Sequence, residues 1–176
     1  MEPLSLEDER VIAKQLGRTP RGVLAVECRC PYGYPQVVRV YPLVEGKPFP
    51  TLFWLTCPFL TKQIDRLEAQ GWIKKMDGQI ERDQALAVSL RQAHRAYIDE
   101  RNRLLSPGDR TTLAETGMLK DLLEKGIGGT ADLKKVKCLH LHVAHALART
   151  NPVGDRVLDA LAEHACPPEK VICSAY

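Results

Sequence analysis

The sequence predicts a single α+β domain, in which a small, mostly antiparallel sheet near the N-terminus packs with about five helices. Three observations predict this class. Segments rich in β-branched and apolar residues lie between residues 23 and 56. The connection between the first two segments is too short for a helical crossover, which favours antiparallel pairing. From Cys57 onward, apolar residues recur at helical spacing.

The N-terminal part of the chain, about residues 18–57, should carry the sheet. A helix is expected before it, because Ser5 and the acids after it are typical of a capped start and Gly17 can end the helix. The predicted strands cover residues 23–28, 36–43 and 51–56. Loops rich in proline and glycine separate them, at residues 31–35 and 45–50.

The rest of the domain, which covers residues 1–176, should be helical from about residue 58 to residue 166. Pro58 suits a first helical position, and Gly71 suits the end of that helix. Further helices are predicted at residues 80–105, 111–125, about 137–149 and 156–165, the last capped by Asp155. Residues 91–97 should lie on a solvated face of the long helix.

Composition and charge exclude several classes of protein. The chain is 44% hydrophobic and 27% charged, with a formal net charge of +3. Acids interleave with the basic residues and aromatics make up only 6%, which argues against nucleic-acid binding. No apolar run approaches the roughly 20 residues of a membrane span. The first residues lack a basic start and an apolar stretch, so we expect no signal peptide, a cytoplasmic protein and reduced cysteines.

Residues 137–145 hold one thiol and three imidazoles. If this segment is helical, Cys138, His142 and His145 share one face, with Arg149 beside them, because successive residues are about 100° apart. The other faces are apolar, so the helix should be largely buried. Its narrow polar stripe then needs partners inside the fold.

Thiolates and imidazoles are ligands that suit zinc or iron. One helix rarely supplies three ligands, so the others should come from the ends of sheet elements. The resulting hypothetical metal ligands are Cys30, Cys57, Cys138 and His145. His140 and His142 are the candidates for moving protons. Two alternatives remain open: the cysteines and histidines are inert core residues, or one thiol is reactive.

A second candidate site would bind an anion. Guanidinium groups bind phosphate or carboxylate with two hydrogen bonds, and glycine lets backbone N–H groups approach an anion closely. The residues that could do this are Arg18, Arg21, Gly128, Gly129 and Lys137. The loop at residues 126–130 is no Walker motif, since no Gly-Lys-Ser/Thr follows it. The alternative is a flexible loop with ordinary surface arginines.

Eight short phrases of the sequence, in this order, resemble the bacterial family called domain of unknown function 501. They lie at residues 17–23, 29–31, 33–35, 48–51, 54–58, 66–68, 137–140 and 151–155, and the likeness extends from about residue 16 to residue 160. The resemblance implies a cytoplasmic bacterial protein without an assigned activity. It also implies gene neighbours such as enolase, a septum-formation protein and exopolyphosphatase, hence a link with cell division or polyphosphate. The family pattern includes Cys30, Cys57, Cys138, His140 and His145.

Two function classes follow from these patterns. The first is a ligand-binding or regulatory protein with a Cys/His site, whose partner is a small anionic ligand or another protein. The second is a metal-assisted hydrolase that acts on a phosphorylated small molecule. An open coordination position beside a pocket would favour the enzyme, whereas a closed Cys/His site would be a structural clamp.

Overall fold

The computed structural model describes residues 2–176 and confirms the α+β class. The strands are β1 (Glu2–Pro3), β2 (Val23–Arg29), β3 (Pro35–Val40), β4 (Leu43–Val44), β5 (Lys47–Pro48) and β6 (Phe53–Leu55). Four of them form an antiparallel sheet in the order β1-β2-β3-β6, and β4 pairs with β5 in a separate ribbon. The three predicted strands therefore form the body of the sheet, and the short β1 extends one edge.

The loop predicted at residues 45–50 contains part of the two-stranded ribbon. Glu45 and Gly46 connect β4 to β5 and both have positive φ, at 52° and 75°. This is the backbone conformation of a tight two-residue hairpin. The second predicted strand is also shorter than expected. It ends at Val40, where the next backbone N–H, that of Tyr41, bonds to the Gly22 carbonyl instead of to a strand neighbour.

Eight α-helices surround the sheet in the described part of the chain. They are α1 (Leu6–Leu16), α2 (Pro58–Ala69), α3 (Trp72–Arg82), α4 (Gln84–Leu104), α5 (Pro107–Glu115), α6 (Leu119–Glu124), α7 (Leu139–Ala148) and α8 (Pro152–Asp159). Short 3-10 turns follow at Ile127–Gly129, Pro168–Lys170 and Ile172–Ala175. No helix within residues 2–176 is both long enough and apolar enough to span a membrane.

Two predicted helices are each divided in two. The helix predicted from residue 80 to residue 105 breaks at Asp83, which has an extended backbone and whose side-chain carboxylate caps α4 by accepting the Leu86 N–H. Ile80 therefore belongs to α3. The helix predicted at residues 111–125 is interrupted by Gly117, which has a φ of 72° and separates α5 from α6.

The last helix begins earlier than the sequence predicted. It starts at Pro152, and its cap is Asn151 rather than Asp155. The Asn151 carboxamide oxygen accepts the N–H groups of Val153 and Gly154 at 3.0 and 2.9 Å. The tail beyond Asp159, which was predicted to be helical to residue 165, has no α-helix.

Helix α1 closes one side of the sheet. Ser5 and Asp8 form a reciprocal capping box at its start. The Asp8 carboxylate also pairs with the Arg29 guanidinium, which is the main cause that lowers the pKa of Asp8 to about 2. Ile12 is fully buried and packs with Val38 and Val40 of β3. The first predicted helix and its cap are therefore confirmed.

Helix α7 lies in the main core and packs on the other side of the sheet. Its Leu139 and Val143 are fully buried and belong to one cluster with Val37 and Phe53 of the sheet. Helix α8 crosses α7 at Gly154, where a Cβ would meet the Ala146 Cβ at 2.6 Å and overlap the backbone of His142. The contact between α7 and α8 thus requires a residue without a side chain.

Two arginines and two glutamates join the C-terminal end of α7 to the sheet and to α4. Arg39 lies 2.5 Å from Glu27 and 2.7 Å from Glu100. Arg149 lies 3.0 Å from Glu27 and 2.6 Å from Glu100. Each charge therefore has two partners of opposite sign, which is the arrangement in which a nearly buried carboxylate such as Glu27 can be tolerated.

We predict opposite effects for the same substitution at two glycines. Gly154→Ala should destabilise the protein by about 2 kcal/mol or more, because the new Cβ overlaps backbone that cannot move away. Gly78→Ala, in the middle of α3, should stabilise it by about 0.5–1 kcal/mol, because its nearest neighbour is the mobile end of Arg82 at 3.6 Å. Urea unfolding of both variants measures this. Equal effects at the two sites would contradict the close crossing.

Candidate functional site

The candidate site lies where α2 meets the start of α7. Cys138 immediately precedes α7 with an extended backbone, and its side chain makes no capping bond. Its Sγ lies 3.5 Å from Nδ1 of His140. Glu68 of α2 reaches the same place and accepts the backbone N–H of Leu139 at 2.6 Å. Ligand-type atoms of Glu68, Cys138 and His140 all lie within 4.8 Å of one another, and no other such group of three occurs in the described residues.

The His140 ring is held from both sides. Its Nδ1 faces Cys138 and the Glu68 carboxylate, which is 3.3 Å away. Its Nε2 lies 3.2 Å from the Asp65 carboxylate and 3.3 Å from the Thr61 carbonyl. A proton on Nε2 therefore has two acceptors. A protonated Nδ1 can donate to the Glu68 carboxylate, and a deprotonated Nδ1 would offer its lone pair to a cation held with Cys138 and Glu68.

The surroundings of His140 have opposing effects on its pKa. Burial of the ring lowers the pKa. The hydrogen bond and charge of Cys138, the charge of Glu68 and the Thr61 carbonyl raise it by more, to about 9. Without a competing cation, the ring is therefore an imidazolium at neutral pH and sits between a thiol and two carboxylates.

A cavity of about 560 Å³ opens beside the cluster. Cys138 and His140 line it together with polar and apolar residues of α1, β6 and α2. The polar lining residues are Gln15, Thr56, Thr61, Lys62 and Asp65, and the apolar ones are Leu16, Trp54, Leu55, Pro58 and Leu141. A small molecule in this cavity would touch both the thiol and the imidazole.

The arrangement can carry two kinds of chemistry. Oxygen, sulfur and nitrogen donors from three side chains are a donor set typical of zinc sites that keep one position open. The same thiol and imidazole, oriented by carboxylates, also resemble the activated cysteine of a nucleophilic site. In both cases the neighbouring cavity would receive the ligand.

His142 and His145 lie elsewhere, in the core, so the predicted shared face with Cys138 is not formed. Cys138 precedes the helix and faces α2, whereas both histidines are about 1% exposed. The Asn151 carboxamide connects them, with Oδ1 3.2 Å from His142 Nδ1 and Nδ2 3.2 Å from His145 Nδ1. The His145 ring stacks on Phe53 at 5.7 Å. These contacts give both imidazoles a packing role.

Burial keeps these imidazoles neutral. It lowers the pKa of His142 to about 3 and the pKa of His145 to about 4. His94 of α4 is a third such residue, with a pKa lowered to about 4 by burial, and its Nδ1 accepts the Ile127 N–H at 3.0 Å. The prediction of a solvated face at residues 91–97 is therefore wrong for His94, which is fully buried and 5.8 Å from the His142 ring.

Cys30 and Cys57 do not join Cys138. Cys30 follows β2 and Cys57 precedes α2, as the sequence predicted. Cys57 is buried, which raises the pKa of its thiol to about 11, and the nearby thiols of Cys173 and Cys166 add to that rise. The predicted set of Cys30, Cys57, Cys138 and His145 is thus distributed over three places, and Cys138 lies instead with His140 of α7 and Glu68 of α2.

The five predicted anion-binding residues occupy two separate places. Arg18 and Arg21 line a cavity of about 530 Å³, where Arg18 lies over the Trp54 ring at 5.1 Å and Arg21 pairs with Glu45 at 2.5 Å. The Lys137 ammonium instead donates to the Gly128 carbonyl at 2.8 Å.

Gly128 and Gly129 both have positive φ, at 71° and 72°, as the loop requires. The Gly129 N–H donates to the Gly126 carbonyl, so this turn satisfies its own polar groups. The glycine loop and the two arginines therefore do not form one pocket.

The contribution of α2 to the site was not predicted from the sequence. Thr61, Asp65 and Glu68 are spaced four and three residues apart, which places them on one side of a helix. This polar stripe was visible in the sequence. That it faces Cys138 and His140, about seventy residues later, follows only from the tertiary structure.

The comparison with protein families gives one match. A model of the family described as "Protein of unknown function (DUF501)" matches residues 26–159. No curated protein and no solved structure matches the chain. The matched span contains Glu68, Cys138 and His140, whereas Cys166 and Cys173 follow it.

The buried histidines predict acid-sensitive stability. The native pKa values of His94, His142 and His145, about 3 to 4, lie below the ordinary value of 6.5. As the pH falls, these histidines therefore become protonated in the unfolded chain at a higher pH than in the folded protein. The contribution of the neutral histidines to the free energy of unfolding is fully present above pH 6.5 and is lost as the pH falls to about 4. One pKa unit corresponds to about 1.4 kcal/mol, so the total loss should reach several kcal/mol.

Urea unfolding at several pH values between 4.5 and 7 measures this loss. In His145→Phe, unfolding near pH 5 should take up about one proton fewer than in the wild type. The slope of the free energy of unfolding against pH should therefore be smaller by about 1.4 kcal/mol per pH unit. His164→Phe is the matched control, because it makes the same substitution at an exposed position outside the buried set. A wild-type stability that is independent of pH in this range would contradict the buried neutral state.

Proposed function

The chain belongs to the DUF501 family, and we propose that it is a ligand-binding protein in which Glu68, Cys138 and His140 hold a zinc or iron ion beside the cavity at the α2–α7 junction. The observation that carries this proposal is the convergence of three different donor types within 4.8 Å. The link with cell division or polyphosphate, which the family resemblance implies, stays a prediction.

The donor set fits a borderline metal ion. A thiolate, an imidazole and a carboxylate suit zinc and ferrous iron better than magnesium or calcium, which prefer oxygen ligands alone. A hydrogen bond from Nε2 of His140 to Asp65 is the usual second interaction of a metal-binding histidine, because it fixes the ring and its tautomer. A bound cation would replace the proton that otherwise keeps His140 charged.

The ligand should be a small anion. Three protein ligands would leave one position of a tetrahedral ion for a further ligand, and the cavity that Cys138 and His140 line would admit a small molecule to the ion. Lys62 adds a positive charge to the wall. The first turn of α7 also presents backbone N–H groups without intrahelical partners at His140 and Leu141, which line the same cavity.

A metal-assisted hydrolase of a phosphorylated small molecule is the second candidate. Having only three protein donors beside a cavity favours it, since catalytic zinc sites keep one position open and closed structural sites do not. A bound zinc ion would supply Lewis-acid chemistry there. Lys62 would then bind the phosphate, and Thr61 and Asp65 would keep the His140 ring in place.

We predict that the purified, untagged protein contains zinc or iron that depends on this cluster. Elemental analysis per chain should show that Cys138→Ser loses about one equivalent. Asp65→Ala should weaken metal affinity about ten- to hundredfold, because it removes the carboxylate partner of His140 Nε2 and leaves only the Thr61 carbonyl to orient the ring. Cys28→Ser is the matched control, since Cys28 is a half-buried thiol outside the cluster.

Equal metal content in wild type, Cys138→Ser and Cys28→Ser would refute the metal site and leave a cluster of ion pairs that fastens α2 to α7. The same preparations separate the two candidate functions. Binding of inorganic phosphate that is weakened by Lys62→Gln, without release of phosphate from phosphomonoesters, supports the binding protein. Metal-dependent release of phosphate that Cys138→Ser abolishes supports the hydrolase.

A further inference from the structure

A second cavity, of about 530 Å³, lies where the turn after α1 meets the β4–β5 ribbon. Residues 18–21 form part of its wall, and Val44, Glu45, Phe49 and Trp54 form the rest. Its volume is within the range of roughly 300–1,000 Å³ that is typical of small-molecule sites. None of the three proposed metal donors lines this cavity, so it is separate from the site at the α2–α7 junction.

The backbone on both sides of the cavity is fixed by local bonds. Arg18 follows the glycine that ends α1, and its N–H donates to the Ala13 carbonyl at 3.0 Å. Gly22 has a φ of 69°, and its carbonyl accepts the Tyr41 N–H at 2.7 Å. A Cβ at Gly22 would lie only 2.9 Å from Val44 Cγ2, so the turn packs closely on the ribbon. The two walls are therefore held in place by the fold itself, which lowers the entropic cost of binding a ligand.

The Arg18 side chain is positioned by an aromatic ring and retains its hydrogen-bond donors. Its guanidinium carbon lies 5.1 Å from the centre of the Trp54 ring, which is a cation–π contact. Within residues 2–176, no carboxylate or carbonyl accepts a hydrogen bond from this guanidinium group. The contact with the ring uses the face of the guanidinium group and leaves its in-plane N–H groups available to an anion. Arg18 therefore offers a prepositioned cation to the cavity.

Arg21 adds a second guanidinium group, whose present partner can be exchanged. It lies 2.5 Å from the Glu45 carboxylate, and the two side chains are 66% and 63% exposed. An ion pair this exposed contributes little to stability because water and salt screen it, so a phosphate can replace the carboxylate at low cost. Two guanidinium groups and one carboxylate leave one positive charge in excess in the wall, which suits a small anion better than a long polyanion.

Much of the remaining wall is apolar and aromatic. The ring centres of Phe49 and Trp54 lie 6.2 Å apart, with the rings tilted by 51°. Pro20 and Val44 add further apolar surface. Inorganic phosphate would leave this surface in contact with water, whereas a phosphate ester that carries a flat ring would cover it. The cavity thus combines donors for a phosphate group with a surface for an aromatic ring.

We propose that this cavity binds a 5′-mononucleotide, whose phosphate pairs with Arg18 and Arg21 and whose base contacts the rings of Trp54 and Phe49. Guanidinium groups bind phosphate through parallel, charge-assisted hydrogen bonds. Contact between a base and an aromatic ring tolerates any base, because every base has a π face, so we expect little selectivity among the bases. Glu45 competes with the phosphate for Arg21 and thereby limits the affinity.

Trp54 lines this cavity and also the cavity at the α2–α7 junction. A ligand in either cavity would therefore be close to the indole ring, and variants are needed to assign the site. Lys62 lines only the cavity at the α2–α7 junction, whereas Arg18 and Arg21 line only the second cavity. Substitutions of these cations consequently distinguish the nucleotide site from the proposed metal site, and neither site requires the other.

The first test is titration calorimetry of the wild-type full-length protein, before and after chelation of metal. The probes are adenosine 5′-monophosphate, ribose 5-phosphate, adenosine and inorganic phosphate. The mononucleotide should bind with a Kd below about 1 mM and about tenfold more tightly than each of the other three, because only it uses both parts of the wall. Chelation should leave this binding unchanged. Absence of saturable binding, or equal affinity for ribose 5-phosphate or inorganic phosphate, would overturn the proposal.

Fluorescence tests the contact with the aromatic wall. The chain has two tryptophans, so Trp72→Phe leaves Trp54 as the only one. Adenosine 5′-monophosphate should quench the Trp54 emission to saturation, with the affinity that calorimetry gives. Ribose 5-phosphate at the same concentration should leave the emission nearly unchanged. Emission that is unaffected by a saturating concentration of the mononucleotide would contradict the proposed position of the base.

Variants at exposed positions then locate the phosphate. Arg18→Gln and Arg21→Gln should each weaken mononucleotide binding about tenfold, because each removes charged donors. Glu45→Gln should instead tighten binding about two- to fivefold, since it removes the competing carboxylate. Arg82→Gln, at an exposed arginine of α3 outside the cavity, is the matched control and should bind as wild type, as should Lys62→Gln. Unchanged binding in both cavity-arginine variants, or binding lost only in Lys62→Gln, would overturn the proposal.

Discussion

The burial of helix α7, with two neutral imidazoles on its inner face, is the constraint on which the rest of the structure depends. One side chain makes it possible. The Asn151 carboxamide oxygen accepts two N–H groups at the start of α8 and faces His142, while its amide nitrogen faces His145. Asn151 thereby caps α8 and satisfies polar atoms of α7 that would otherwise be buried without partners. Gly154 then allows the two helices to touch.

The position of α7 also determines what its first residues can do. Because the inner face is occupied by packing, the chemistry-bearing groups at its start, Cys138 and His140, face α2 at the edge of the core. There they meet Glu68 and a cavity. The histidines of α7 therefore have two different roles. His142 and His145 are kept neutral in the interior, whereas His140 is kept charged beside the cavity.

The sequence was sufficient for features that depend on neighbouring residues. The α+β class, the capped start of α1 at Ser5 and the position of Cys57 before α2 follow from local patterns. Features that depend on distant residues were not accessible. Cys138 stands one residue before the helix, which removes it from the face of His142, and Glu68 approaches from another helix. By contrast, the helix breaks at Asp83 and Gly117 have local signals, since aspartate is a common N-cap and glycine favours the positive φ that ends a helix.

Binding of a metal ion by Glu68, Cys138 and His140 can be observed in a crystal. The most direct measurement is anomalous X-ray diffraction at the zinc absorption edge from crystals of the full chain grown with zinc. We predict a peak about 2.0–2.3 Å from the Cys138 sulfur, Nδ1 of His140 and a Glu68 oxygen. Crystals grown at saturating zinc in which no peak appears there, and in which His140 bonds directly to Glu68 and Asp65, would contradict it.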